Sequence, residues 1–211
     1  MKRFLLFLLI VTTSNLFAQT KSILLSGEIS TLSEYKYAFL YDADTKTRYI
    51  QPIIEKKFEF IFSKNSDLEN KIVSLYFGKD STRTFADARR RFAFVDPETR
   101  QIALEEGTKI FILGSIDDAV VKGGKLNSDL LDMKAAIKSL KYNDFFVSHT
   151  DSPISITFLH ALFMLRTNEM FIKYSEALDY EKIFSSFSSS IKETEQGKKL
   201  GALLAANKPN E

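Results

Sequence analysis

The sequence predicts an α+β fold: an N-terminal antiparallel β-sandwich or barrel-like sheet, then a C-terminal helical region. Three observations predict it. From Ser22 to about Val121 the side chains alternate with period two, the signature of strands with one buried face. After Val121 the apolar residues recur every three or four positions, the period of a helix stripe. No long Gly/Ser/Pro linker separates the two patterns, so the halves are expected to pack together. The expected organisation is a signal peptide over 1–18, a β domain over 19–122 and a helical region over 123–211.

The first segment reads as an address. Lys2 and Arg3 precede the apolar run Phe4–Val11, and Leu16-Phe17-Ala18 ends on a small residue at the cut position. Charged start, short apolar run and small residue are the layout of a secretory signal peptide. The run is about half of the roughly 20 residues a membrane-spanning helix needs. Cleavage near Ala18 would leave no stable membrane span, place the chain in the periplasm or otherwise outside the cytoplasm, and cancel the formal +2 charge excess.

The strands follow in order. Ile23, Leu25 and Ile29 alternate with polar or outward residues, as do Tyr37, Phe39 and Tyr41, then Phe58, Phe60 and Phe62. Ile72–Phe77, Arg91–Val95, Gln101–Glu105 and Lys109–Leu113 are further short runs rich in β-branched or aromatic residues. Asp42-Ala43-Asp44, Glu55-Lys56-Lys57, Lys64–Asn70, Asp96–Thr99 and Glu106-Gly107-Thr108 break them. Clean alternation with a polar outer face favours antiparallel pairing. Gly123-Gly124 supplies the turn into the helices.

The helices are equally legible. Leu126, Leu130, Met133, Ile137 and Leu140 form one stripe, with Asn127 as the expected N-cap and Asp129 near the positive end of the helix dipole. Ser152-Pro153 starts the next helix, whose run Ile154–Leu165 is almost wholly apolar and should sit between the sheets and the other helices. Asp179 caps a segment carrying Tyr180, Ile183, Phe184, Phe187 and Ile191, and Glu195–Ala206 packs through Leu200, Leu203 and Leu204.

Composition excludes several chemistries. There is no cysteine, so disulfides, thiol catalysis and cysteine-ligated zinc are ruled out. Two histidines do not make a multi-histidine metal centre, and no cofactor is expected. Near-balanced charge, with 29 Lys+Arg against 27 Asp+Glu, argues against nucleic acid. No Gly-Xaa-Ser-Xaa-Gly elbow, His-Glu-Xaa-Xaa-His motif or phosphate loop occurs. What remains as candidate ligand or partner contacts is His149 with Asp151, a possible acid–base pair, and the basic run Arg89-Arg90-Arg91, suited to a phosphate or carboxylate. Both also have plain readings, a satisfied turn before a helix cap and a solvated strand edge. His160, inside Phe158–Leu162, reads as a core histidine. Nineteen Phe and eight Tyr read as a core, not a binding platform.

Several stretches in order carry a resemblance: Ser26-Gly27-Glu28-Ile29, Phe58-Glu59-Phe60, Glu105–Ile112, Ala119–Asn127, His149–Pro153 and Gln196–Leu200. The sequence resembles the N-terminal domain of unknown function that precedes the thioredoxin-like domain in many secreted thiol–disulfide oxidoreductases of Gram-negative bacteria. The resemblance covers most of the mature chain. Here Lys56-Lys57 stands where the usual Asp-Gly precedes the Phe-Xaa-Phe strand, and no Cys-Xaa-Xaa-Cys pair follows, so redox activity does not transfer. The function expected is a secreted, non-enzymatic binding or interaction module of unknown ligand, associated with an envelope thiol–disulfide protein as partner. The rival is a hydrolase-type enzyme using carboxylates or the His149/Asp151 pair.

Overall fold

Period-two segments become strands wherever one face is covered, and the computed structural model sorts them into two four-stranded sheets. It describes residues 22–30, 34–63, 68, 70–88, 98–167 and 178–207. The strands are β1 (Ser22–Ile29), β2 (Tyr37–Asp42), β3 (Thr47–Pro52), β4 (Lys57–Ser63), β5 (Ile72–Gly78), β6 (Arg100–Ala103), β7 (Lys109–Ile112) and β8 (Val120–Lys122). A short helix α1 (Phe85–Ala88) follows β5. The helical half comprises α2 (Lys125–Ser139), α3 (Tyr142–Ser148), α4 (Pro153–Leu165), α5 (Tyr180–Ser186), α6 (Ser189–Lys192) and α7 (Glu195–Ala206).

One sheet runs β4-β1-β7-β8 and the other β3-β2-β5-β6; they stay separate, so no barrel closes. Leu25, Ile29, Phe58 and Phe60 of the first sheet share one core cluster with Ala38, Leu40, Val73 and Leu75 of the second. Phe58 and Phe60 are buried while Glu59 between them and Ile61 after them are exposed, as alternation requires. The Phe58 ring lies over Gly27, where a Cβ would come within 2.1 Å of it. Phe39 turns the other way, stacking on Tyr76 at 4.8 Å, with Phe85 of α1 packed against this small cluster.

One pairing departs from the expected antiparallel order. β1 pairs with β4 antiparallel but with β7 in parallel. Parallel neighbours need a long crossover, and the second sheet supplies it, since β2, β3, β5 and β6 all lie between β1 and β7 in the chain. β3, which the alternation did not single out, pairs with β2 and is an edge strand, half-exposed along most of its length. The expected strand at Arg91–Val95 and the signal segment 1–18 lie outside the described residues.

The helical half has its own core, built on Met133, Phe145, Phe146, Phe158, Leu159 and Leu200 and reaching the sheets through Ala103 and Ile72. α2 is the helix that meets β6 and β8, whereas α4 packs chiefly on α2, α5 and α7. The apolar α4 is therefore the centre of the helical half rather than a layer between the halves. Ser152 caps it, accepting from Ile154 N at 3.3 Å, with Pro153 in the first turn. Asp179 caps α5 through Lys182 N at 3.0 Å, but Phe187 and Ser188 leave helical geometry and split the expected segment into α5 and α6. No helix among the described residues is long and apolar enough to cross a membrane.

Candidate functional site

Strand β6 places a charge where the two halves meet. Along β6, Ile102 enters the core between the sheets, and period two puts Arg100 on that same face at the strand's start. Arg100 is only 8% exposed. Its Nη1 donates to the Asp117 carbonyl at 3.0 Å, its Nε is buried with no partner, and no carboxylate pairs with it among the described residues. Buried guanidinium groups are normally paired, because removing a charge from water without compensation is costly.

The surroundings repeat that deficit. Asp117 sits in the β7–β8 connection, which Ile116 and Ala119 anchor in the core and which Ser115 closes by accepting from Asp118 N and donating to its carboxylate. From α2, Lys134 donates to the Asp117 carboxylate and, at 2.5 Å, to its carbonyl. One turn on, Lys138 is exposed. Burial pushes the Lys134 ammonium below its ordinary value; Asp117 opposes this and nearby Arg100 and Lys138 reinforce it. Burial lowers Arg100 likewise, against Asp117 and Asp118. Three cations thus crowd two carboxylates.

Two cavities meet at these residues. The inner one, about 20 Å³, is lined by Thr99, Arg100, Gln101, Asp117, Met133 and Lys134 among others. Thr99 Oγ1 and Gln101 Oε1, like Arg100 Nε, are buried there without partners. That is room for one water with several polar partners. The outer one is an open cleft of about 360 Å³ between β8 and α2, lined by the apolar Val120, Val121, Leu131 and Ala135, by Arg100, Lys134 and Lys138, and by Asp117 and Asp118.

The residues singled out in the sequence go elsewhere. His149 ends α3 and does not bond Asp151. Its Nδ1 lies 2.9 Å from the Phe145 carbonyl, its Nε2 3.2 Å from Asp132 Oδ2 and 3.7 Å from Asp129 Oδ1, and its ring stacks on Phe145. Asp151 stands exposed in the turn that follows. Asp129 is buried and accepts from Ser152 Oγ at 2.5 Å and Lys125 Nζ at 3.0 Å, so this cluster ties α2, α3 and the start of α4 together. His160 is partly buried in α4, held below its ordinary value by burial and then by Lys199. Arg89, Arg90 and Arg91 lie outside the described residues. No group of three or more His, Asp or Glu among the described residues is arranged to hold a metal ion.

Sequence reasoning missed the cleft because its parts are scattered. Arg100, Asp117 and Lys134 belong to a strand, a loop and a helix, and nothing local marks Arg100 as buried. The one available hint was Lys134 and Lys138, four apart and off the apolar stripe of α2. No protein-family model, curated protein or solved structure matches the chain.

Proposed function

We propose that this chain is an exported, non-enzymatic binding module whose working surface is the cleft between β8 and α2. The observation that carries the reading is the Arg100 guanidinium, buried in the lining of an open cleft of mixed apolar and charged residues, with no carboxylate paired to it among the described residues. A structural arginine would be expected to have an acid partner, whereas one awaiting a ligand leaves that place open. In this reading the two sheets stack as an open sandwich that fixes Arg100 and the β7–β8 connection, and α2 adds the second wall. The signal-like start sets the module in the cell envelope, and the resemblance to the domain beside thioredoxin-like folds makes an envelope thiol–disulfide protein its expected neighbour.

The hydrolase alternative gains little from the geometry. Both nitrogens of His149 face oxygen atoms of its own fold, so neither is presented to a substrate. The test is two-dimensional NMR of the purified chain against a chemically diverse fragment set. Shifts should cluster on β8, Arg100 and one face of α2. Shifts centred on His149, or turnover of any fragment there, would overturn the binding-module reading in favour of an enzyme.

A further inference from the structure

We infer that the cleft between β8 and α2 takes a small aliphatic carboxylate, its oxygens on Arg100 and Lys134 and its hydrocarbon body along Val120 and Leu131. The inference rests on the proposed binding-module reading and names the ligand class of that site.

The charged part of the lining selects charge. Among the described residues Arg100 spends one of its five N–H donors on a backbone carbonyl, and its buried Nε has no partner. Planar guanidinium matches a carboxylate bidentately. Lys134 already shares Asp117, so one negative group arriving between Arg100, Lys134 and Lys138 would balance the three cations against Asp117, Asp118 and the ligand. A cationic ligand would meet the opposite situation, becoming a fourth like charge in a partly desolvated place.

The walls select the body. Val120 and Leu131 are 44% and 54% exposed, large apolar side chains that both line this opening. A volume of about 360 Å³ is at the small end of ligand pockets. It suits a short alkyl chain and is too small for a folded partner. Gln101 Oε1 and Thr99 Oγ1 do not need the ligand: the inner void of about 20 Å³ has room for one water, which would bridge them to Arg100 Nε or to a carboxylate oxygen.

The experiment is calorimetric titration of the full chain with hexanoate, hexanol and hexylammonium, with NMR shift mapping of each. Hexanoate should bind at the cleft at least about tenfold more tightly than either of the others, a difference of ~1.4 kcal/mol. Lys138→Ala and Leu131→Glu are both on the surface and should each weaken hexanoate about tenfold with the fold intact by circular dichroism. Arg100→Gln should abolish binding; if that variant does not fold, the two surface variants carry the test. Equal occupancy of the cleft by hexanol and hexanoate would overturn the carboxylate assignment while leaving the binding-module reading standing. Hexanoate shifts away from β8 and α2, no binding at all, or tight binding unaffected by Lys138→Ala and Leu131→Glu would also overturn it.

Discussion

At the residue scale, the joint between the halves depends on one carboxylate and the glycine beside it. Glu105 lies just after β6, and its carboxylate accepts from Leu126 N and Asn127 N at 3.0 Å each, so it caps α2 from outside the helix. Asn127, expected to be that cap, instead lies buried inside the first turn. Its side chain closes on Ala103, accepting from N and donating to O, both at 2.9 Å. Gly124 makes room for this. Its φ is 70°, and a Cβ there would stand 1.9 Å from the Glu105 carboxyl. Gly124→Ala should therefore both strain the backbone and push the capping carboxylate away, lowering stability by about 2–4 kcal/mol from strain and cap loss together. Urea unfolding measures it. A change within about 0.5 kcal/mol, the usual surface range, would mean that Glu105 moves aside freely and the cap carries no weight.

At the element scale, period and punctuation were readable, and pairing was not. The alternation at Phe58–Phe62 and the stripe of α2 matched because each element has one covered face. Glu195–Ala206 was readable to the residue, since Thr194 caps it by accepting from Gly197 N and Leu200 and Leu204 are buried. The parallel β1–β7 contact left no local mark, because it depends on which strands the crossover carries. Leu140 shows the limit of stripe counting: it continues the apolar spacing but sits in the left-handed region at φ 59°, ending α2 while more than half exposed. The β2–β3 hairpin shows chemistry that composition did suggest. Asp42, read as a break, is buried and accepts from Asp44 N and Thr45 Oγ1 at 2.9 Å and from Lys71 Nζ at 3.1 Å. Burial by itself would raise its pKa, but Lys71, Thr45 and the Asp44 amide together hold it below the ordinary carboxylate value. The unfolded chain then binds the proton more readily than the folded one. The hairpin's contribution is present above about pH 3.9, the unfolded value, and is lost as pH falls through the lower folded value. Acid titration of stability should show this loss in the parent protein, and Asp42→Asn should flatten that limb. An acid limb of equal steepness in Asp42→Asn would assign it to other carboxylates.

At the scale of the whole molecule, the question is whether two cores make one unfolding unit. The sheets and the helices each bury their own aromatic cluster, and the bridge between them is narrow: α2 against β6 and β8, Asn127 on Ala103, and Ile72 and Ala103 reaching into the helical core. A truncation deep in one core tests whether that bridge transmits. Phe158 is 2% exposed, with ring centroids of Tyr142, Phe145 and Phe146 within 5.7 Å. Phe158→Ala should cost about 3–5 kcal/mol, a large part of the roughly 5–15 kcal/mol that holds a domain folded. If the bridge holds, hydrogen exchange followed by mass spectrometry during urea unfolding should show β5 and α4 opening at one lowered midpoint. Asn127→Ala is the complementary change. It leaves the Ala103 N–H buried without its partner, at about 1–3 kcal/mol for the unsatisfied group, while the Ala103 carbonyl keeps the Glu105 N–H and the aromatic cluster around Phe158 stays in place. Combined with Phe158→Ala it should split the transition, α4 opening first and β5 staying near the midpoint of Asn127→Ala alone. Early opening of α4 in Phe158→Ala by itself would instead show that the halves are independent even with the bridge intact. The cleft between β8 and α2 would then lie between two bodies free to part, and Arg100 would lose the fixed frame on which its recognition of a ligand depends.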